Sequence, residues 1–442
     1  MTPERLPLTE RSNRLGPVGF VLAFGIVSML ADVVYEGARA ITGPFLATLG
    51  ASGALVGFVT GFGEAVSLVA RLGTGPLADR TRRYWPLTVA GYALTVVAVP
   101  VMALASTLWQ ASGLVVAERF GKAVRTPARD TMLSHAGSVI GQGKAFAVHE
   151  ALDQSGALVG PLLVALMVAV SGYHAGFGIL AIPGALALLA VLWVRRAVPT
   201  PDLYDPDLHG PDLHAPDLHA ADLHPRQAGE HTADGPAASG ERTGTPQAAP
   251  VDTRGPRLPR AFWFYSAFTA ASMLGFATFA VISYHLEVRH VLADPLIPVA
   301  YAAAMGAAAL AALGSGFLYD RFGLRGLIIT LPLTAAVPFL SFSTNPLLVW
   351  VGAIVWGAAL GMHESTLRAA VADLVPRARR ATAYGIFTAV YGVAWLAGST
   401  IIGALYETSL PAVVVFVLAA QALALILLVL LLRGRAPAHQ TP

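Results

Sequence analysis

Asp32, Glu36 and Arg39 stand at i, i+4 and i+7 inside a long apolar run. That spacing sets them on one face of a helix. One arginine cannot neutralise two carboxylates, so the spare acid could carry a proton or bind a cation. Further along, Glu64 shares a helix face with Arg71. A third run carries Glu118, Arg119, Lys122, Arg125, Arg129 and Asp130, with Glu118, Lys122 and Arg125 on a common face. His149 and Asp153 follow at i,i+4, a pair able to shuttle protons or to hold the preceding cations. His363, Glu364 and Arg368 form a later group, with Glu364 and Arg368 at i,i+4. Each group also fits a purely structural ion cluster.

All of these lie in segments that read as membrane spans. Of the 442 residues, 55% are hydrophobic and only 12% charged, with a mean hydropathy of +0.63. A soluble domain carries about 25% charged residues. Lipid must therefore solvate much of this chain, and a charge held there costs roughly 2.5–3.5 kcal/mol. Runs long enough to cross a bilayer begin near Pro17, Ala51, Tyr84, Leu108, Phe146, Ala175, Ala261, Pro298, Leu324, Pro346, Thr382 and Pro411. The expected fold is an all-α polytopic membrane protein with 12 transmembrane helices in two pseudo-symmetric six-helix bundles, at 17–197 and 260–433. Arg and Lys cluster in alternate loops, with Arg289 the clear exception. That bias puts both tails, 1–16 and 434–442, in the cytoplasm of a multi-pass cell-membrane protein. The net charge of +3 then reflects orientation and not nucleic acid. The chain has no cysteine, which excludes disulfides and thiol chemistry. No catalytic motif is present, so no enzyme and no cofactor are expected.

Gly75-Pro76-Leu77-Ala78-Asp79-Arg80 follows the second span, and Gly316-Phe317-Leu318-Tyr319-Asp320-Arg321 follows the eighth. Both read G-x-L-x-D-R. Arg125 and Asp130 are echoed by Arg368 and Asp373. Two matches in one order, half a chain apart, indicate duplication. In the first copy Arg83 follows, and Arg129 is expected to pair with Asp79 as a gate between the bundles. The chain here resembles the major facilitator superfamily, whose signature runs roughly G-x-L-x-D-R-x-G-R-[RK]. Arg82 stands where that signature has glycine, whereas the second copy keeps it as Gly323. The resemblance implies alternating access around a central cavity and leaves the substrate open. Gly156-x-x-x-Gly160-Pro161 is similar to an antiporter motif without its downstream glycines. It reads equally as small-residue packing, and it lends export an edge over import.

Between the bundles, 198–259 is rich in Pro, Gly, Asp and His and reads as a disordered cytoplasmic linker. Within it His209, His214, His219 and His224 recur every five residues behind Asp-Leu, a donor set suited to zinc or nickel, or an unselected repeat. Trp263, Phe276, Trp356, Tyr391 and Trp395 are expected to give the second half an apolar wall. Together these readings describe a monomeric, proton-coupled secondary transporter in the bilayer. Its partners are protons and a small-molecule or ion substrate: a metal cation, a metal complex or a small hydrophobic solute. The rival is a membrane sensor or scaffold that keeps the fold without transport.

Overall fold

The computed structural model describes residues 13–205, 258–376 and 379–434, with backbone alone at 366–369, 372 and 381. The four linker histidines lie outside the described residues. Helices α1 (Pro17–Thr48), α2 (Gly53–Val69), α3 (Arg71–Thr81), α4 (Tyr84–Val101), α5 (Leu108–Ile140), α6 (Gln142–Ile179) and α7 (Ala181–Ala197) form the first half. The second half holds α8 (Arg260–Leu274), α9 (Phe279–Val288), α10 (Leu296–Phe322), α11 (Thr330–Ser341), α12 (Pro346–Leu374), α13 (Arg380–Thr408) and α14 (Leu410–Arg433).

Nine continuous helical stretches among the described residues are long and apolar enough to cross a membrane. Two of them, at 56 and 46 residues, are long enough for two passages each. The first of these divides at Ser171 and Gly172, where the backbone leaves helical geometry and Gly172 takes φ 74°. Helix α5, at 33 residues, has the length to cross as well. Its charges, from Glu118 to Asp130, lower its hydropathy. With α5 the passages come to twelve, six in each half.

Local sequence sets the ends. Thr107 and Gln110 form a reciprocal capping box that starts α5. Ser52 accepts the amide of Leu55 at the start of α2, and Asn345 accepts that of Leu347 ahead of Pro346. Inside the first half α6 packs along α1. A Cβ on Gly156 or Gly160 would come within 2.2 and 2.4 Å of the Met29 and Val33 carbonyl oxygens, so these glycines serve close helix packing. The face of α6 that meets α1 thus requires glycine at both positions.

Two chain breaks matter for the site. Helices α8 and α9 are one passage interrupted at Gly275–Thr278. The freed backbone is satisfied by Trp356 Nε1 on the Ala277 carbonyl (2.9 Å), and Gln421 Nε2 donates to the Ser272 carbonyl (3.0 Å). The other break is the chain after Ala197, which does not leave the bundle at 198 as the linker reading expects. Trp85 Nε1 donates to the Val198 carbonyl (3.0 Å), the Tyr204 hydroxyl donates to the Leu15 carbonyl, and His135 meets Asp205 at 3.2 Å. Tyr204 and Phe20 pack with their rings tilted at 48°, 5.7 Å between centroids. Scattered polar and aromatic contacts anchor this stretch, which no apolar periodicity would reveal.

The two halves meet on one face of the molecule, opposite the ends at Pro17 and Arg433. There a Cβ on Gly43, Gly57 or Gly403 would lie 2.1–2.2 Å from a carbonyl oxygen of the other half, at Ala280, Ser399 and Gly53. The Glu407 carboxylate accepts the Gly53 amide (2.8 Å), and the Tyr173 hydroxyl donates to Glu287. On the tail face the halves diverge around a cavity.

Candidate functional site

That cavity measures about 670 Å³. Helices α1, α2, α5 and α6, with Arg71 at the start of α3, line one side with charge, while α10, α12 and α13 supply alanine, leucine and aromatic side chains on the other. Seven carboxylates and five Lys or Arg residues face it, so its lining is acidic by two charges when all are ionised.

The charges are organised across helices. Arg39 lies 3.6 Å from Glu36 and 2.9 Å from Glu64 on α2. Arg119 on α5 reaches the same Glu64 oxygen at 3.1 Å and Glu118 at 3.2 Å. The result is an alternating run: Glu36, Arg39, Glu64, Arg119, Glu118. All five side chains are at least nine-tenths buried. Tyr35 braces this run, with Arg119 4.3 Å from its ring centroid and Lys122 3.7 Å from it. The Arg119 and Lys122 charges are thereby held near one aromatic face.

Asp32 lies apart from this run. Its nearest cation is Arg125 at 4.0 Å, and Arg125 also donates to Thr95 (2.8 Å) and covers the Tyr92 ring at 4.6 Å. Asp32 packs against α6 beside Gly156, one turn from Asp153. Asp153 lines the cavity with a buried Oδ1 that has no hydrogen-bond partner among the described residues. His149 is buried outside the cavity lining, and its Nε2 is likewise without one. The expected His149–Asp153 pair is therefore not made: His149 turns away from the cavity that Asp153 faces.

In the second half His363 is fully buried and also lines the cavity. Its Nε2 meets Thr334 at 3.4 Å, and its ring stands edge-on to Phe276. Glu364 faces the cavity, and its expected partner, the Arg368 side chain, lies outside the described residues. Tyr391 and Trp395 line the cavity, whereas Phe276 and Trp356 stack behind it at 5.6 Å. Trp263 is no part of the wall: it is 51% exposed on the outer surface, because its position on α8 faces away from the first half.

The gating residues stand elsewhere. Gly75, Asp79 and Arg80 lie within α3, which ends at Arg82, and Arg83 is exposed in the turn beyond it. Gly316, Asp320 and Arg321 lie within α10, where Asp320 and Arg321 are exposed. Nothing approaches a Cβ position on Gly75 or Gly316 within 4 Å. Arg129 does not pair with Asp79. It turns inward to Asp130 (2.9 Å) and Ser28 (3.2 Å), while Asp79 sits on the outward side of α3.

Three further residues enter the site without an ionic signal in the sequence. The Tyr301 hydroxyl of α10 donates to Glu36, linking the halves at the cavity. Thr60 and Thr278 hydrogen-bond across the halves at 3.0 Å. A hydroxyl set among alanines near the start of α10 was the available clue to Tyr301.

The sequence profile of the Major Facilitator Superfamily matches residues 24–370 and 292–442. The chain belongs to the major facilitator superfamily. An uncharacterized protein of Mycobacterium tuberculosis (strain H37Rv) is 49% identical over 411 residues, covering 92% of each chain. An uncharacterized superfamily transporter of Methanocaldococcus jannaschii is 27% identical over 183 residues, 41% of this chain and 46% of its own. Among solved structures, the peptide transporter POT in complex with sulfate superposes with a TM-score of 0.69 at 13% identity, covering 94% of each chain. A bacterial homologue of the human lysosomal transporter Spinster, inward-facing and unoccupied, gives 0.65 at 15%, covering 96% of this chain and 99% of its own. Such identities establish a shared superfamily fold and carry no substrate with them.

Proposed function

We propose that this superfamily transporter is a proton-coupled exporter of organic cations that carry an apolar body. The carrying observation is the acidic, two-faced cavity of about 670 Å³. Its volume suits a small organic molecule, for which pockets run about 300–1,000 Å³. The charged wall of the first half would take the cationic end and the aromatic wall of the second half the apolar body. A bare metal ion would leave most of that volume unused.

Asp32 is the best-placed shared acid. Glu36 and Glu64 are engaged by arginines, whereas Asp32 lies near two cations, Lys122 and Arg125, with no ion-pair contact shorter than 4.0 Å, and faces the cavity near Asp153. A cation and a proton that compete for one carboxylate cannot ride together, which favours exchange over symport. With an inward proton gradient, exchange drives export. The basic loops support a reading with both tails in the cytoplasm, and in that reading the cavity opens inward. A single chain encloses the whole cavity, in keeping with a working monomer.

Proteoliposomes test this with radiolabelled tetraphenylphosphonium, zinc ion and a neutral apolar solute, with and without a pH gradient. Uphill movement of tetraphenylphosphonium driven by the gradient is expected, with at least a tenfold loss in Asp32→Asn, about the effect of 1.4 kcal/mol. If Asp32→Asn and Glu36→Gln together leave transport and its pH response intact, the coupling assignment fails.

A further inference from the structure

A second cavity, with about 20 Å³ open to the centre of a water molecule, lies behind the first toward the opposite face. That is room for one or two waters, since a single water needs about 10–15 Å³ on this measure. Tyr35, Arg39 and Glu64 line both cavities and form the wall between them. Glu118 and Arg119 line only the small one. The Thr60–Thr278 hydrogen bond, also in its lining, joins the halves there.

The alternating run of charges explains what this small space is for. Three carboxylates share two guanidiniums, which leaves one negative charge in excess. The two end acids are not equivalent. Glu36 receives the Tyr301 hydroxyl in addition to Arg39. Glu118 gives one oxygen to Arg119, and its Oε1 is buried with no hydrogen-bond partner among the described residues. A buried carboxylate oxygen without a donor is costly, and a water or a proton relieves it. Around Glu118, its own helix carries Lys122 and Arg125, α1 carries Glu36 and Arg39, α2 carries Glu64, and α10 carries Tyr301. Lys122 lies on Tyr35 and Arg125 on Thr95; neither forms an ion pair with Glu118.

We propose that Glu118 is the acid that receives the proton from the opposite face, through water in the small cavity, apart from the large cavity that takes the cargo. This rests on the proton-coupled reading above and adds the acceptor and its route. A water in the small cavity passes its proton to Glu118 Oε1, and the run of five groups becomes neutral. Arg119, relieved of one partner, is then held by Glu64 alone. Parting of Thr60 and Thr278 as the halves rock opens the small cavity to the opposite face. The bonded pair seals it in the conformation described here.

Infrared difference spectroscopy of the purified protein in lipid, mildly acid minus alkaline, reads protonation directly and needs no cargo. A carboxylic-acid C=O band is expected that Glu118→Gln abolishes and Asp32→Asn leaves in place. Glu118→Asp, which keeps the carboxyl, should move the band and guards against a glutamine variant that fails to fold. A band unmoved by either Glu118 substitution, or no band that depends on this residue, overturns the proposal. A protein that ignores the pH gradient in liposomes but keeps a Glu118 band sinks the transport reading and leaves the proton site standing.

Discussion

The Tyr301 hydroxyl donates to the Glu36 carboxylate, and so ties α10 of the second half to the acidic face of α1. Both side chains are buried. Tyr301→Phe keeps the ring and its packing on Phe279, 4.6 Å away, but strips one donor from a buried acid. Leaving such an oxygen unpaired costs about 1–3 kcal/mol. The expected outcome is a lower thermal midpoint in detergent with an unchanged elution volume. A variant as stable as the parent would show that this bond adds nothing to the closed contact between the halves.

Arg82 and Gly323 end α3 and α10 with positive φ, 51° and 57°, but Arg82 is left-handed helical at ψ 20° whereas Gly323 has ψ −140°, an extended region that is essentially glycine's own. They occupy equivalent places in the two repeats. For a residue with a Cβ the left-handed conformation of Arg82 costs roughly 1–2 kcal/mol, and glycine avoids most of it. Arg82→Gly is therefore expected to stabilise the protein by about 1 kcal/mol, less the entropy that glycine loses on folding. Gly323→Ala is expected to destabilise by about 1–3 kcal/mol, because its backbone region excludes a Cβ more strictly. Thermal unfolding of the two variants side by side gives opposite signs if the backbone controls the effect.

Much of the architecture was legible because lipid permits few alternatives. Apolar runs of span length had to be helices, and Asp32, Glu36 and Arg39 had to share a face. What periodicity could not supply was the partner across a helix gap. Nothing in the spacing says that Arg39 meets Glu64 or that Arg119 bridges Glu64 and Glu118, since those pairs depend on how α1, α2 and α5 pack. Residue type misled at Trp263, because a tryptophan in a span suits the lipid surface as well as an inner wall. The same limit hid Tyr204, one of several anchors in a stretch without periodicity.

Burial pushes the Tyr204 phenol up to about 12, from an ordinary value near 10. The group lies beyond the last span of the first half and donates to the Leu15 carbonyl. Because its value in the folded chain is the higher one, its contribution is complete below about pH 10 and is lost as pH rises through 12. The anchor thus holds throughout the neutral range. Ultraviolet titration of the parent against Tyr204→Phe should isolate one phenol ionising near pH 12. Ionisation near 10 would mean that the ring is solvated and the chain after Ala197 is not held.

Gly57 and Ser399 control the closed face. A Cβ on Gly57 would sit 2.1 Å from the Ser399 carbonyl oxygen, and backbone on both sides leaves no flexible group to give way. Gly57→Ala must therefore push α2 and α13 apart, which also strains the Thr60–Thr278 bond one turn further along α2. The chain has no native cysteine, so one introduced at Ala280, which lines the small cavity and leaves the Thr60–Thr278 bond in place, reports access without background. In the parent that position is buried, and a membrane-impermeant maleimide added to the opposite face should label Ala280→Cys slowly. Adding Gly57→Ala should raise the labelling rate at least tenfold, as the closed state loses about 1.4 kcal/mol or more against the open one. Overpacking of this kind costs about 1–3 kcal/mol where the structure can shift to absorb it. Gly73→Ala, where a Cβ meets nothing within 4 Å, is the matched control and should leave the rate unchanged. Equal labelling with and without Gly57→Ala would mean that close glycine contact does not hold this face shut.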